Sequence, residues 1–213
     1  MSPTKQKLVD LFYNGIDPFK DFPFDLKYMD LHEIFEWNSD HPYLPESIDA
    51  TNAKIVVDVG VFMGGSTIKM AEKLKSRGDG CVIAVDDFLA DHMLFMHEQV
   101  EPRLRRKFGR PYFWKTFYAN IIGLGLQDYV MPIHMNSFSA LRLINGKHRN
   151  KMRTICDMIH VDASHISPMP YLDVTEAWDA VKTGGHIVID DWVPNQKTIE
   201  HDGADFTGIY KDV

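Results

Sequence analysis

Short apolar runs alternate with amphipathic stretches along the sequence from residue 54 onward. The runs are rich in β-branched residues and end at turn-forming residues, which is typical of buried strands. They are KIVVDVG (54–60), CVIAVDD (81–87), YVMPIHM (129–135), MIHVDA (158–163) and HIVIDDW (186–192). The stretches 66–78, 93–108, 112–124, 137–145 and 171–185 have the pattern of helices. This alternation predicts an α/β fold, a Rossmann-like parallel sheet of five strands with helices on both faces.

The first 50 residues lack this alternation. TKQKLVDLFYNGI has the pattern of a short helix, and residues 19–45 are rich in aromatic residues and prolines. We therefore predict two parts, an N-terminal part (1–50) and a ligand-binding domain (51–213). Two interpretations of the first part stay open. It is either a helical and aromatic cap over one sheet edge, or a lid whose aromatic side chains help to enclose a small-molecule site.

Composition and charge limit the classes of protein to consider. The 213 residues are 45% apolar and 12% aromatic, which suits a globular domain with a substantial core. No run of 18 uncharged apolar residues occurs, and MSPTKQKLVD lacks the apolar region of a secretory signal, so we expect a cytoplasmic protein without membrane contact. Cys81 and Cys156 fit no metal or redox spacing and are expected to be buried thiols. A net charge of −7 argues against nucleic acid as a partner.

The first strand ends in a glycine-rich turn, DVGVFMGGS, that opens a helix. Its glycines, Gly60, Gly64 and Gly65, do not have the spacing of a dinucleotide fingerprint, and no lysine precedes Ser66 as in a phosphate loop. Glycines let a bulky ligand approach the backbone. An acid at the strand end, Asp58, suits a cation or hydroxyl groups better than a pyrophosphate. The alternative is a tight turn with a purely structural role.

Acidic residues follow the later strands as well. Asp86 ends the second strand, where an acid can accept hydrogen bonds from ribose hydroxyls, although it could simply be solvated. Asp162 ends the fourth strand, and Asp190 with Asp191 ends the fifth. Because the carboxyl ends of parallel strands share one edge, these three carboxylates are expected to converge there, and a hard divalent cation would neutralise them. The alternative is that each aspartate caps a helix or pairs with a basic residue.

DVGVFMGGST followed by AVDDF resembles the first two motifs of class I S-adenosylmethionine-dependent methyltransferases. The resemblance implies that the loop from Gly60 to Ser66 curls around the methionine part of the cofactor. Asp58 would lie near the amino end of that part, and Asp86 would hold the ribose. Asn136 and Ser137, in MPIHMNSFSA, occupy the place where that family contacts the adenine; an ordinary helix cap is the alternative there.

VDASH and GGHIVIDDW resemble the metal-dependent O-methyltransferases of this class, the macrocin and related sugar enzymes more closely than the catechol and caffeoyl-coenzyme A type. The resemblance implies that Asp162, Asp190 and Asp191 bind a divalent metal, Mg²⁺ by preference. The sequence departs from the macrocin pattern at one position, because Ser164 stands where that type has a second acid. His165 stands where the catechol type has a lysine, and we predict His165 as the base. We interpret the other strand histidines, such as His134 and His160, as structural.

Methyltransferases of this class usually add two strands after the fifth, but only DFTGIY suggests one here. Either these strands are abbreviated or the sequence is part of a longer protein, and an exposed sheet edge would favour a homo-oligomer. The run PRLRRKFGR (102–110) is interpreted as a solvated helix face, or else as a contact for an anionic substrate group.

The sequence thus predicts a Mg²⁺-dependent O-methyltransferase acting on a small hydroxylated molecule such as a sugar, a glycoside or a catechol. Two other functions stay open. One is an S-adenosylmethionine-binding module without transferase activity. The other is a dinucleotide oxidoreductase, which the glycine spacing disfavours.

Overall fold

The computed structural model describes residues 1–31, 42–146 and 154–190. Five strands form one parallel sheet in the order β3-β2-β1-β4-β5. They are β1 (Ile55–Val59), β2 (Cys81–Asp86), β3 (Val130–His134), β4 (Cys156–Val161) and β5 (Val181–Ile189). The strand order reverses between β1 and β4, and ligands bind at the carboxyl edge beside such a reversal. The predicted Rossmann-like sheet of five parallel strands is confirmed.

Seven α-helices are described. They are α1 (Pro3–Tyr13), α2 (Tyr43–Ala50), α3 (Gly65–Ser76), α4 (His92–Met96), α5 (Trp114–Gly123), α6 (Ser137–Asn145) and α7 (Met169–Ala180). The long helix predicted over 93–108 is wrong, because only α4 and a 3-10 turn at Glu101–Leu104 form there. Arg105 and Phe108 have positive φ angles of 49° and 53°, which no continuous helix can include.

The helix predicted over 171–185 is also too long. It ends at Ala180, and β5 begins at Val181 rather than at the predicted residue 186. The extra strand residues pair irregularly, because Cys156 lies opposite Val181 whereas Met158 lies opposite His186. The glycines in this stretch therefore belong to a bulged strand and not to a helix end.

Two apolar cores cover the two faces of the sheet. On one face, Val56 and Met158 pack with residues of α3 and α5, such as Leu74 and Phe117. On the other face, the next residues of the same strands, Val57 and Ile159, pack with residues of α1, α6 and α7. Consecutive strand residues point to opposite faces, so each continuous apolar run contributes to both cores.

Residues 1–31 lie against edge strand β3 and α5. The Tyr13 hydroxyl donates a hydrogen bond of 2.6 Å to the Pro132 carbonyl oxygen. The ammonium group of Lys5 is fully buried and donates to an Asp17 carboxylate oxygen at 2.8 Å and to the Gln127 carbonyl oxygen at 2.6 Å. A buried charge of this kind requires such partners, and they fix α1 against the sheet.

No helix among the described residues is long and apolar enough to cross a membrane. The predictions about strands after β5 concern residues 191–213, which lie outside the described residues, as does Asp191.

Candidate functional site

The floor of the candidate site is a network of polar side chains around Asp58. This residue lies in β1 directly beside His160 of β4, and both side chains point to the same face of the sheet. The fully buried Asp58 carboxylate accepts hydrogen bonds from the Ser66 hydroxyl at 2.8 Å and the Thr67 hydroxyl at 2.5 Å. Its other oxygen lies 2.8 Å from Nδ1 of His160. Asp58 therefore connects β1 to the first turn of α3 and to β4.

The glycine-rich turn is shaped by close packing of one loop on another. Gly60 has a φ angle of +88°, and a Cβ atom added there would lie 1.9 Å from the Asp162 carbonyl oxygen. The Asp162 amide in turn donates to the Val59 carbonyl oxygen at 2.8 Å. Gly64 has a φ angle of +102° and precedes α3, which begins at Gly65. At Gly60, the absence of a side chain lets the loop after β4 approach the turn.

Asp86 holds the same turn from the neighbouring strand. Its carboxylate accepts hydrogen bonds from the backbone amides of Phe62 at 2.9 Å and Phe88 at 2.7 Å. Burial raises the pKa of Asp86 to about 6, although these two amides act in the opposite direction. A carboxylate oxygen accepts more than one hydrogen bond, so Asp86 has capacity for hydroxyl groups of a ligand as well.

Three side chains of types that can bind a metal ion converge at the carboxyl ends of β4 and β5. One potential ligand atom from each of His160, Asp162 and Asp190 lies within 4.8 Å of the other two. Nε2 of His165 lies 3.2 Å from an Asp162 carboxylate oxygen. Burial raises the pKa of Asp162 to about 6. A positive charge beside the carboxylate would lower this pKa again. The geometry thus brings together two of the three predicted metal ligands and the predicted base.

His160 belongs to this cluster, although the sequence pattern predicts only a structural role for it. Burial acts to lower its pKa, but the hydrogen bond to Asp58 and the charges of Asp58, Asp162 and Asp190 outweigh burial and raise the pKa above its usual value. Protonated His160 offsets part of the acidic charge, and it must lose that proton before it can bind a metal. The signal in the sequence is the spacing, because His160 and Asp162 are two residues apart on one strand face.

The remaining predicted residues lie at the start of α6. The Asn136 side chain caps the helix by accepting a hydrogen bond of 2.9 Å from the Ser139 amide. Ser137 is buried next to Asp173 of α7. Asp173 is fully buried, and neither of its carboxylate oxygens has a hydrogen-bond partner within the described part of the chain. Burial raises the pKa of Asp173 to about 6, whereas the nearby Ser137 hydroxyl lowers it by less.

Aromatic side chains line the sheet edge beside Asp86. His134 pairs with Asp86 in the strand register, and its ring centroid lies 4.7 Å from that of Phe88. Nε2 of His134 lies 3.2 Å from the Tyr118 hydroxyl, and burial lowers the pKa of His134. The Trp114 ring is 6.2 Å away, centroid to centroid. This arrangement gives the edge a neutral aromatic wall next to an acid.

Comparisons with known proteins agree with this architecture. A family model described as "Methyltransferase domain" matches residues 57–192. A proposed caffeoyl-CoA O-methyltransferase from Staphylococcus aureus has a similar structure, with 16% identity, a TM-score of 0.50, and coverage of 87% of this chain and 72% of that chain. The O-methyltransferase TomG from Streptomyces achromogenes, involved in tomaymycin synthesis and solved with S-adenosylmethionine, has 17% identity, a TM-score of 0.50, and coverage of 92% and 81%. No curated protein matches the sequence.

Proposed function

Since the chain belongs to the methyltransferase-domain family, we propose that it is an S-adenosylmethionine-dependent O-methyltransferase that uses a divalent metal ion. The observation that carries the proposal is the convergence of His160, Asp162 and Asp190 at the sheet edge that also holds the glycine-rich turn. Such an edge, at the reversal of strand order, is where α/β proteins bind ligands.

The proposed cofactor site uses residues already connected to one another. The loop from Gly60 to Ser66 would surround the methionine part, with Asp58 beneath it fixing the first turn of α3 through Ser66. Asp86, which orders the turn through the Phe62 amide, would accept hydrogen bonds from the ribose hydroxyls. Asn136 and Ser137, at the start of α6, would contact the adenine. The adenine contact is compatible with the helix cap that Asn136 forms, because its side-chain carbonyl oxygen has two lone pairs.

The proposed metal ligands are Asp162, Asp190 and Asp191, and Mg²⁺ is the ion that such oxygen ligands favour. The chemistry of the described donors fits a cation, since two carboxylates lie together and burial disfavours the charge of Asp162. A bound divalent ion supplies Lewis acidity, which lowers the pKa of a coordinated hydroxyl. Acceptors with adjacent hydroxyls, such as a sugar or a catechol, suit a site of this kind.

His165 is the proposed base. Its ring is oriented by Asp162 at 3.2 Å, and Ser164 beside it is too weak a base to replace it. In the transfer, His165 takes the proton of the acceptor hydroxyl. The oxygen then forms a bond with the methyl carbon as the carbon–sulfur bond breaks, and the sulfur leaves as a neutral thioether.

The first experiment measures binding rather than turnover. Titration calorimetry with S-adenosylhomocysteine tests the cofactor site, and Mn²⁺ binding followed by electron paramagnetic resonance tests the metal site. We expect Asp190→Asn to weaken Mn²⁺ binding and leave S-adenosylhomocysteine binding unchanged. The matched control is Asp87→Asn, an exposed aspartate at the end of β2. Unchanged Mn²⁺ binding in Asp190→Asn would refute the metal site.

Turnover separates the remaining alternatives. His165→Gln is expected to lower kcat by about 10²–10⁴ with a diol acceptor, since general-base catalysis contributes that much. Binding of S-adenosylhomocysteine without methyl transfer to any of a panel of sugars and catechols would favour a cofactor-binding module. Preference for NAD over S-adenosylhomocysteine in the calorimeter would favour an oxidoreductase.

A further inference from the structure

A region of positive charge lies between residues 102 and 127, where the sequence has no acidic residue. It carries six cationic side chains although the chain as a whole has a net charge of −7: Arg103, Arg105, Arg106, Lys107, Arg110 and Lys115. Arg103 lies 3.8 Å from Asp30, and Arg106 pairs with Glu101. Within the described residues, the other four have no carboxylate at ion-pair distance.

Four cations gather around two tyrosine rings, and we call this group the basic patch: Lys27, Arg105, Lys107 and Lys115 around Tyr28 and Tyr112. Lys27, Arg105 and Lys115 lie 5.1, 5.8 and 5.2 Å from the centroid of the Tyr28 ring. Lys115 and Lys107 lie 4.7 and 5.7 Å from the centroid of the Tyr112 ring. Among the described residues, only Lys27 of these four has a carboxylate partner, Asp25.

Like charges this close repel one another, and cation–π contacts return only about 0.5–1 kcal/mol each at exposed sites. The stems of these side chains lie along the two rings with their charged ends near water, and Arg105 is also held by a hydrogen bond of 3.0 Å to the Lys27 carbonyl oxygen. The segment is not a regular helix in any case, because Arg105 and Phe108 have left-handed backbone conformations. The arrangement is therefore one that an anion would stabilise.

The start of helix α5 adds to the same positive potential. This 10-residue helix begins at Trp114, and its N-cap residue, Phe113, provides no side-chain hydrogen bond to the first-turn amides, of which that of Lys115 donates to the Tyr112 carbonyl oxygen at 3.2 Å. The first turn contains no acidic residue and does contain Lys115. A lysine there opposes the helix dipole, whereas a bound anion would interact favourably with both the dipole and the lysine.

The basic patch is joined to the candidate site. Lys115 lies 5.5 Å from the Trp114 ring, and Trp114 contacts His134 at the end of β3. His134 in turn lies beside Asp86 in the strand register. The patch thus continues the aromatic wall of the site outward from the sheet edge.

We propose that the basic patch binds a phosphate-bearing ligand. Several cations and a helix start without a side-chain cap match the charge of a phosphate better than that of a single carboxylate. A nucleic acid is disfavoured, because the acidic remainder of the chain would repel an extended polyanion. The phosphate belongs either to the methyl acceptor, in which case the proposal rests on the proposed function, or to a separate phosphorylated ligand.

Pyrophosphate is the probe that tests the patch itself, in titration calorimetry at low ionic strength and without cofactor or metal. The triple variant Arg105→Gln, Lys107→Gln, Lys115→Gln is expected to bind pyrophosphate roughly tenfold more weakly or worse. The control, with the same change of charge, is Lys7→Gln, Lys20→Gln, Lys75→Gln, at exposed positions outside the patch. Both variants should bind S-adenosylhomocysteine as the wild type does, which shows that they are folded.

The proposal is overturned if the wild type does not bind pyrophosphate, or if the triple variant binds it as the wild type does. Either result leaves the cofactor and metal measurements untouched, so the two proposals fail independently.

Glucose 6-phosphate, which has adjacent hydroxyls, distinguishes the two sources of the phosphate. Its affinity is measured with Mg²⁺ and S-adenosylhomocysteine present, against glucose as the uncharged control. If the phosphate belongs to the acceptor, both the triple variant and Asp190→Asn weaken binding. If it belongs to a separate ligand, only the triple variant does. Equal binding by the wild type and the triple variant would contradict the proposal.

Discussion

Asp58 in β1 and Asp173 in α7 are both fully buried, and only one of them has hydrogen-bond partners among the described residues. Asp58 accepts hydrogen bonds from Ser66 and Thr67 and contacts His160. Asp173 has the hydroxyl of Ser137 nearby, but neither of its oxygens is hydrogen-bonded within that part of the chain. A buried carboxylate with partners fixes the elements that supply them, whereas a buried carboxylate without partners reduces stability whenever it is charged.

The difference follows from where the two residues lie. Asp58 is at the point where β1, β4 and α3 meet under the candidate site, so three elements can supply donors. Asp173 is on the inner face of α7, opposite the start of α6, where the Ser137 hydroxyl is the polar group that acts on it. The floor of the site is therefore expected to be rigid, so that substitutions there lower stability. Removing the charge of Asp173 from the α6–α7 interface is expected to raise stability.

The largest effect is expected for Gly60→Ala, which tests the rigidity of the site floor. The added Cβ would lie 1.9 Å from the Asp162 carbonyl oxygen, so the loop after β4 must move. We expect a loss of about 4 kcal/mol or more in the free energy of unfolding, measured by urea denaturation. The control is Gly78→Ala, which has a φ angle of +78° but no atom within 4 Å of the added Cβ. It should lose only about 1–2 kcal/mol, and equal losses in the two variants would contradict the packing argument.

The next largest effect is expected for Asp58→Asn. The amide keeps the size of the side chain but removes its charge. Its NH₂ group would also face the Ser66 and Thr67 hydroxyls, which donate to the carboxylate in the wild type. Removing one partner of a buried charged pair costs about 3–5 kcal/mol, so we expect a loss of roughly 3 kcal/mol in unfolding free energy. Because Ser66 is no longer held, S-adenosylhomocysteine binding in the calorimeter should weaken as well. Wild-type stability would show that Asp58 does not organise the site.

The sequence predicted the sheet edge that carries the candidate site better than it predicted the α6–α7 interface. Continuous β-branched runs specify buried strands, and the carboxyl ends of parallel strands must share an edge, so the sequence alone places Asp162 and Asp190 together. The helix predicted over 93–108 was wrong because the apolar pattern does not show that Arg105 and Phe108 adopt left-handed backbone conformations. The place of His160 beside the two aspartates was not predicted, because its contact with Asp58 joins residues 102 positions apart in the sequence.

Asp173 could not have been found from the pattern of α7. In YLDVTEAWDA the acids look solvent-facing and the tryptophan looks buried, yet Asp173 and Glu176 are buried while Trp178 is 73% exposed. Glu176 has partners on α6, with Arg142 at 3.1 Å and Asn145 at 2.9 Å. The packing partner decides which face of α7 is inward, and the amphipathic pattern of the helix alone does not.

Asp173→Asn is expected to stabilise the protein at neutral pH, the opposite sign to Asp58→Asn. Its pKa is about 6 in the folded protein against 3.8 when exposed, so between these values the folded state holds a proton that the unfolded state has lost. Stability due to this group is therefore present below about pH 4 and lost as pH rises through about 6. Two pKa units correspond to about 2–3 kcal/mol.

The measurement compares the unfolding free energy of Asp173→Asn and the wild type at pH 4 and at pH 8. The variant should equal the wild type at pH 4 and exceed it at pH 8. Because Asp86 and Asp162 titrate in both proteins, the difference between the two curves isolates Asp173. Asp21→Asn, at an exposed aspartate, should give no difference at either pH. A variant that is less stable at pH 8 would mean that Asp173 has a stabilising partner.

The smallest effects are expected for the two hydroxyls that donate to Asp58, and they divide its role into parts. Thr67→Val keeps the shape of a buried side chain and removes a hydrogen bond of 2.5 Å to a carboxylate, so a loss of about 1.5–3 kcal/mol is expected. Ser66 is only partly buried, and Ser66→Ala should cost about 1 kcal/mol or less because water can replace its hydroxyl. Ser66, however, is the more exposed of the two, so under the proposed function its loss should weaken S-adenosylhomocysteine binding more than the loss of the Thr67 hydroxyl does. If Thr67→Val instead lowered affinity more than Ser66→Ala at equal stability, the cofactor would have to approach the floor of the site from the side of Thr67.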